Sequence, residues 1–456
     1  MHELITLMVL SAKEKQAGEM KRTVSQPFIR SHRLRHLAHG IVRVGTVTVD
    51  YRSESTYKET RLPVELASTL IADAYRVPDF FAEEQDRVFG RGWVAVGLRS
   101  EISAPGEVIV RNVAGRSLIV TLNEDHELRA FLNVCRHRGS RLIDADSQLR
   151  AGRIRCPYHA WAYNLDGTCI GTPLFEGSDI PPDMRQAFDM TNVKAFDRAD
   201  YPLFDVRVEA WGPLILVSLN PDVMSLDRWL GDLPERLAGY GLDRWEPQAS
   251  KHYDIGANWK LIVENFMEYY HLPWVHPELA KVSRIQDHYR YQGPGMYTGM
   301  MTTPISGDNP AWLALPPHEG IGGSDLVSGR FILVFPNVTL SVLPNHCFLM
   351  LLEPLSVERT LERTMILTHP ETMESDEAVN ALAELLDFWD KVNLEDIAIV
   401  ENVQRGVETP EYQGGRMCYR FEEPVHRFQN MIIDRMVGVD HVPDGDSSDH
   451  QPMFGD

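Results

Sequence analysis

Cysteine is scarce. The chain of 456 residues has five, at 135, 156, 169, 347 and 418, too few and too scattered for a disulfide framework. That usage points to reduced thiols and a cytoplasmic setting. Also missing is any run approaching the ~20 apolar residues that a membrane-spanning helix requires. Leu4 to Ala12 is short and mostly apolar, but Glu3 precedes it and no basic segment leads in, so it does not read as a signal peptide. Positive charge is in deficit: 45 Lys and Arg stand against 65 Asp and Glu, a net charge of −20. Nucleic acid is thereby an unlikely partner, since phosphate binding wants a basic face, whereas a cationic substrate or a basic redox partner is compatible. There is no internal repeat. The length suffices for two folded units, each burying its own core.

Two of the few cysteines stand in a pattern. Cys135-Arg136-His137 is followed, after eighteen intervening residues, by Cys156-Pro157-Tyr158-His159. Two Cys and two His could make a tetrahedral zinc site. Zinc fingers, however, usually pair Cys with Cys and His with His along the chain, whereas here each loop supplies one of each. That is the arrangement of a Rieske [2Fe-2S] cluster, with one iron on both thiolates and the other on both imidazoles. Neutral imidazoles carry less negative charge than thiolates, so they raise the reduction potential. Gly139 lets the backbone bend, and Pro157 and Trp161 are expected to stiffen and shield the loops.

A second cluster reads Glu268-Tyr-Tyr-His271-Leu-Pro-Trp-Val-His276. The histidines are five apart, the wrong spacing for one face of a continuous helix, but a broken helix end can turn both imidazoles to one point. With one carboxylate they would form the facial triad of non-haem Fe(II) oxygenases, leaving the opposite face of the iron open.

On these two motifs the chain resembles the Rieske non-haem iron oxygenases, specifically their catalytic (alpha) subunit, from about Leu62 to Val437. The resemblance implies that the carboxylate comes from a late helix, where Asp396 in Asn393-Leu-Glu-Asp-Ile matches, with Glu395 and Asp390 as alternatives. It implies a [2Fe-2S] cluster on Cys135, His137, Cys156 and His159 and a mononuclear Fe(II) on His271, His276 and Asp396. It further implies that Glu268 orients His271 and links the iron site to His159 of the partner subunit in a ring-shaped homotrimer. Electrons would come from NAD(P)H through a separate flavin and iron–sulfur reductase. Most ring-hydroxylating members have Asp where this chain has Glu268. Glu resembles the branch that oxidises choline, carnitine and glycine betaine, so the expected substrate is a small quaternary or tertiary amine together with O2.

The fold class expected is α+β: a small all-β Rieske domain plus a catalytic domain whose antiparallel sheet is covered by helices. Residues 1–61 read as an arm of uncertain order, 62–91 as a leading helical segment, 92–212 as the Rieske domain, 213–437 as the catalytic domain and 438–456 as an acidic flexible tail. Helices are expected at Trp229–Leu242, at Lys260–Tyr270 with Pro273 ending it, and at Glu377–Arg405 with a restart capped at Asn393. Strands at Phe331–Phe335, Thr339–Leu343, Cys347–Leu352 and Arg363–Thr368 would wall the second site. A quaternary ammonium ion is held by aromatic faces. Tyr289, Tyr291, Tyr297, Trp312, Phe331 and Phe335 are the candidates for such a cage, although aromatic residues more often pack as core. Two other functions compete. A ring-hydroxylating dioxygenase alpha subunit would use the same motifs and need a small beta subunit. A non-enzymatic Rieske electron carrier would stop near residue 215, and His271, His276 and Asp396 lie beyond it.

Overall fold

Short β-branched runs separated by turn residues dominate the first half, and they fold as strands. The computed structural model describes residues 49–174, 196–303 and 315–445. In chain order the first ten strands are β1 (Val94–Leu98), β2 (Glu107–Val113), β3 (Arg116–Leu122), β4 (Leu128–Leu132), β5 (Ser147–Gln148), β6 (Ile154–Arg155), β7 (Ala162–Tyr163), β8 (Cys169–Gly171), β9 (Asp205–Trp211) and β10 (Leu214–Ser218). A two-residue turn joins β2 to β3, with Ala114 and Gly115 both at positive φ (48° and 72°), the geometry that matches strand twist. Seven of these strands form one antiparallel sheet in the order β1-β10-β9-β4-β3-β2-β5, and β6-β7-β8 form a small second one. The hairpin between β7 and β8 closes at Asn164–Gly167, as its Asp-Gly pair leads one to expect.

The second half adds β11 (Glu246–Ile255), β12 (His288–Arg290), β13 (Tyr297–Thr302), β14 (Gly329–Val334), β15 (Val338–Val342), β16 (Cys347–Ser356) and β17 (Arg359–Thr368). They make another seven-stranded antiparallel sheet in the order β11-β17-β16-β15-β14-β13-β12. The helices that matter below are α1 (Pro78–Glu84), α2 (Trp259–Phe266), α3 (Leu272–Val275), α4 (Asp376–Val407) and α5 (Tyr419–Val437). One apolar cluster runs from Val94 and Val96 of the first seven-stranded sheet to Leu349 and Met365 of the other. Asn337 stitches the two together: its side chain accepts from Ala95 N at 3.0 Å and donates to Ala95 O at 2.9 Å and Leu352 O at 3.0 Å.

Several expectations need correction. The expected helix at Trp229–Leu242 is two short helices and a 3-10 turn, broken at Gly231, which takes φ 61° where its Cα packs against Pro294. No restart occurs at Asn393. α4 runs unbroken through it, because the Asn393 side chain is buried and donates to Glu362 at 2.7 Å instead of capping a helix. α2 ends at Phe266 rather than Tyr270, and Pro273 opens α3 rather than closing α2. The chain packs before Leu62: Tyr57 is buried, and Arg61 reaches Asp434 of α5 at 2.6 Å. Past α5, Pro443 O still accepts from Gly295 N at 3.1 Å, so the flexible tail does not begin at Gly438. Residues 1–48 of the expected arm and 446–456 of the tail lie outside the described residues.

α2 is anchored from below by a fully buried ion pair. Lys260 Nζ donates to Glu84 Oε1 of α1 at 2.7 Å, Trp259 Nε1 donates to Glu84 Oε2 at 2.8 Å, and the faces of Tyr75, Phe80 and Trp259 surround the ammonium at 5.3 to 5.8 Å. Such a pair contributes little net stability, but breaking it strands a charge in apolar surroundings. Replacing Lys260→Met alone should cost about 3–5 kcal/mol in denaturant unfolding, and adding Glu84→Gln should restore most of the loss. Equal stability of the single variant and the parent would refute this.

Candidate metal centres and the cavity between them

The two Cys/His loops are built alike. Cys135 follows β4; its N–H donates to Ser140 O at 2.8 Å, and Gly139 N donates back to Cys135 O at 3.0 Å. Cys156 follows β6; its N–H donates to Trp161 O at 2.7 Å, and Ala160 N donates to Cys156 O at 3.1 Å. Each loop turns on a left-handed residue, Gly139 at φ 71° and Ala160 at φ 57°. Nothing lies within 4 Å of the position a Cβ would take at Gly139, so φ rather than space selects glycine there. Both thiols are buried, while His137 and His159 are half-buried with ring centroids 4.7 Å apart. Trp161 stacks on His137 at 4.9 Å, and Tyr158 packs against His159 at 3.7 Å. Burial would push the Cys156 thiol up, but backbone N–H groups of His159 and Tyr158 aim at it and hold it below its ordinary value. Two inner sulfurs and two outer imidazoles on paired loops fit a [2Fe-2S] cluster bound through thiolates and neutral imidazoles. They fit a compact tetrahedral zinc less well.

The second centre forms where α2 ends. After Phe266 the chain turns, and the Glu268 carboxylate makes the turn: Oε2 accepts from the N–H groups of Tyr270 and His271, and Oε1 lies 2.5 Å from His271 Nδ1. Glu268 and His271 are thus paired across a turn, not along one helix. α3 then carries the chain to His276, which is buried at its C-terminal end. Asp396 arrives on α4, with Oδ1 2.8 Å from His276 Nε2 and 3.6 Å from His271 Nε2. The three ligand atoms lie within 4.8 Å of one another, and among the described residues no other group of three comes together in this way. This donor set fits Fe(II) with one face open.

Of the alternative acids, Glu395 takes a different position, with Oε2 2.7 Å from His276 Nδ1, on the far side of the ring. Asp390 is engaged by Tyr253 and Lys251. Burial pulls the His276 pKa down, but Asp396 and Glu395 outweigh that and hold it above the ordinary imidazole value. Asn265 was not anticipated. Its Nδ2 donates to Asp396 Oδ1 at 3.0 Å and lies 3.5 Å from His271 Nε2.

The triad opens into a cavity of about 90 Å3 walled by Phe266, Tyr269, Phe331, Phe348 and Trp389 and by aliphatic residues of α2, α4 and the second sheet. Of the five aromatic candidates among the described residues only Phe331 lines it. Tyr289 sits on β12, where it packs on the main core. Tyr291 and Tyr297 are buried among Arg236, Arg330 and Asp232, and Phe335 packs on Trp229 and Phe428. Trp312 lies outside the described residues. Lys and Arg are absent from the described lining, and three acids are present: Glu268, Asp396 and Glu362. Glu362 was missed because the strand was expected to begin at Arg363. β17 in fact begins at Arg359 and inverts the usual pattern, with Leu361 exposed and Glu362 buried. Burial pushes the Glu362 carboxyl up to about 7, against the Asn393 hydrogen bond and with the help of Asp396.

His276 depends on Glu395 to fix its tautomer. Glu395→Ala should weaken iron binding by about 10–100-fold, read by anaerobic Fe(II) titration, with the cluster's visible absorption unchanged. Unaltered affinity would show that Glu395 is a bystander.

Known proteins agree with this geometry. The family profile described as Ring hydroxylating alpha subunit (catalytic domain) matches residues 242–438, and the Rieske [2Fe-2S] domain profile matches 92–185. The chain is 29% identical to the glycine betaine monooxygenase oxygenase subunit of Chromohalobacter salexigens over 401 residues, covering 80% of this chain and 84% of the relative. It is 26% identical to the chloroplastic choline monooxygenase of Arabidopsis thaliana over 410 residues, 86% of this chain and 89% of the relative. A crystal structure of a quaternary ammonium Rieske monooxygenase in complex with an inhibitor superimposes with a TM-score of 0.68 at 24% identity, covering 83% of this chain and 98% of the other. Among the described residues no helix is long and apolar enough to cross a membrane. With two Cys/His loops following strands of the first two sheets and a His/His/Asp triad beside the third, and with each half matched by its own profile, the chain carries both domains of the Rieske non-haem iron oxygenase catalytic subunits.

Proposed function

We propose that the chain hydroxylates a small quaternary or tertiary amine of the choline, betaine or carnitine type, oxidising an N-methyl or neighbouring carbon. The observation that carries this reading is the cavity wall: five aromatic rings, three carboxylates and, among the described lining residues, neither Lys nor Arg. Such a wall favours a cation that cannot donate hydrogen bonds. An aromatic-ring substrate would also use the rings, but it carries no charge for the acids to meet. The relatives named for glycine betaine and choline support the same reading.

When bound, the cluster supplies single electrons and the mononuclear iron supplies the site of dioxygen activation. The chain's own groups do the rest. His271, His276 and Asp396 would hold the metal. Glu268 accepts from His271 Nδ1–H and so keeps Nε2 free for the metal. Asn265 orients Asp396, and the aromatic walls exclude water. Glu268 also serves the electron route, facing His159 of the partner subunit in a homotrimer. Exposed aromatics flank both ends of that route, Tyr158 beside His159 and Tyr270 and Trp274 beside Glu268, as expected of surfaces covered on assembly.

Oxygen uptake with a reductase and NAD(P)H should respond to quaternary and tertiary amines and release formaldehyde or another aldehyde. Glu268→Gln should keep cluster and iron yet lower coupled turnover by about 10–100-fold. Response to aromatic compounds alone, with a cis-diol product, would reverse the substrate assignment, and full turnover by the Gln variant would remove Glu268 from the route.

A further inference from the structure

Glu362 stands on β17 at the wall of the cavity and is 1% exposed. Its Oε1 accepts from Asn393 Nδ2 at 2.7 Å, whereas Oε2 is buried and has no hydrogen-bond partner. Two more buried polar atoms on the same wall lack partners, Ser341 Oγ and Tyr269 OH. Buried polar groups are almost always satisfied, and a buried carboxylate without a cation is costlier still. A side chain in that condition on the wall of a cavity that opens from the triad is accounted for by what the cavity receives.

The position suits a cation. Asn393, which grips Glu362, precedes Asp396 by three residues on α4, about 4.5 Å of helical rise. A charge centre resting against Glu362 therefore sits within one small molecule's length of the iron ligands. Fe(II) with one carboxylate and two neutral imidazoles carries net positive charge, which by itself repels a cationic substrate. A carboxylate on the cavity wall offsets that repulsion, and Phe348 and Trp389, stacked at 4.5 Å, supply further ring surface to the same cavity. With no ligand present, burial holds the carboxyl near the middle of the pH range, and an arriving cation stabilises its ionised form.

Resting on the amine reading above, we propose that Glu362 is the counter-ion of the substrate's ammonium group and sets the preference for cationic over neutral substrates of the same shape. The test compares anaerobic binding of choline with that of its carbon isostere, in which tert-butyl replaces trimethylammonium, to the iron-loaded protein. The wild-type chain should prefer choline, and Glu362→Gln, which can still accept from Asn393, should lose about thirtyfold or more of that preference while binding the isostere and iron as before. Glu362→Asp, which keeps the charge, should retain most of it; should the Gln variant fail to hold iron, loss of preference in the Asp variant overturns the proposal. A Gln variant that loads iron and still prefers choline overturns the counter-ion role and leaves the amine reading intact. A wild-type chain with no preference for the cation overturns both.

Discussion

Three carboxylates, Glu268, Glu395 and Asp396, crowd around two imidazoles at the boundary of an apolar interior, and a fourth, Glu362, stands on the wall of the same cavity. Like charges so placed repel, and apolar walls magnify the repulsion. Such a set is relieved by positive charge or by taking up protons, and burial already pushes the Glu362 carboxyl up to about 7. The protein offers little of its own, since the described lining contains neither Lys nor Arg. A metal ion at the triad would supply the missing charge there, and on the proposed reading a cationic guest would supply it beside Glu362. The rest of the architecture serves to hold these acids in place against their own repulsion.

Two helices carry that load. α2 is fixed at its start by Asn258, whose side chain accepts from Lys260 N at 3.1 Å, and within its first turn by the buried Lys260–Glu84 pair. Its far end can then break sharply into the Glu268 turn without the helix sliding. α4 is long and continuous and presents Asp390, Asn393, Glu395 and Asp396 on successive turns. Asp390 ties it to β11 through Tyr253, and Asn393 ties it to β17 through Glu362. Asp396 and Glu395 remain to serve His276 from opposite sides of its ring. A restart in the helix at Asn393 would have rotated one pair relative to the other.

The cluster loops were legible in the sequence because each is a local structure, with ligands two or three residues apart around one left-handed residue. His271 and His276 were legible for the same reason. Asp396 lies 120 residues beyond His276, and nothing local marks it, so it was reached through the resemblance alone. The aromatic cage was misread because chain position between motifs says nothing of depth along a strand. Phe331 pairs with Met300 on β13, while Tyr297 pairs with Val334, three residues or about 10 Å further along. One end of the strand pair walls the cavity and the other is plain core. Glu362 carried a signal of its own, an acid turned inward beside a leucine turned outward, which burial preferences make conspicuous once the strand is started correctly.

The segment from Asn265 to His276 serves two environments at once. Tyr269 points into the cavity, where it is 6% exposed, and its neighbour Tyr270 points outward at 52% and stacks on Phe421 of α5. Glu268 and His271, on either side of this pair in the chain, both line the cavity. A helix continued through these residues would put neighbours about 100° apart and set His271 and His276 on different faces. Ending α2 at Phe266 is therefore what lets a single short stretch line the cavity on one side and face outward on the other. The carboxylate that enforces the break by accepting two backbone N–H groups is the same one that orients the metal-binding imidazole. Glu268 thus closes the turn with one oxygen and orients His271 with the other.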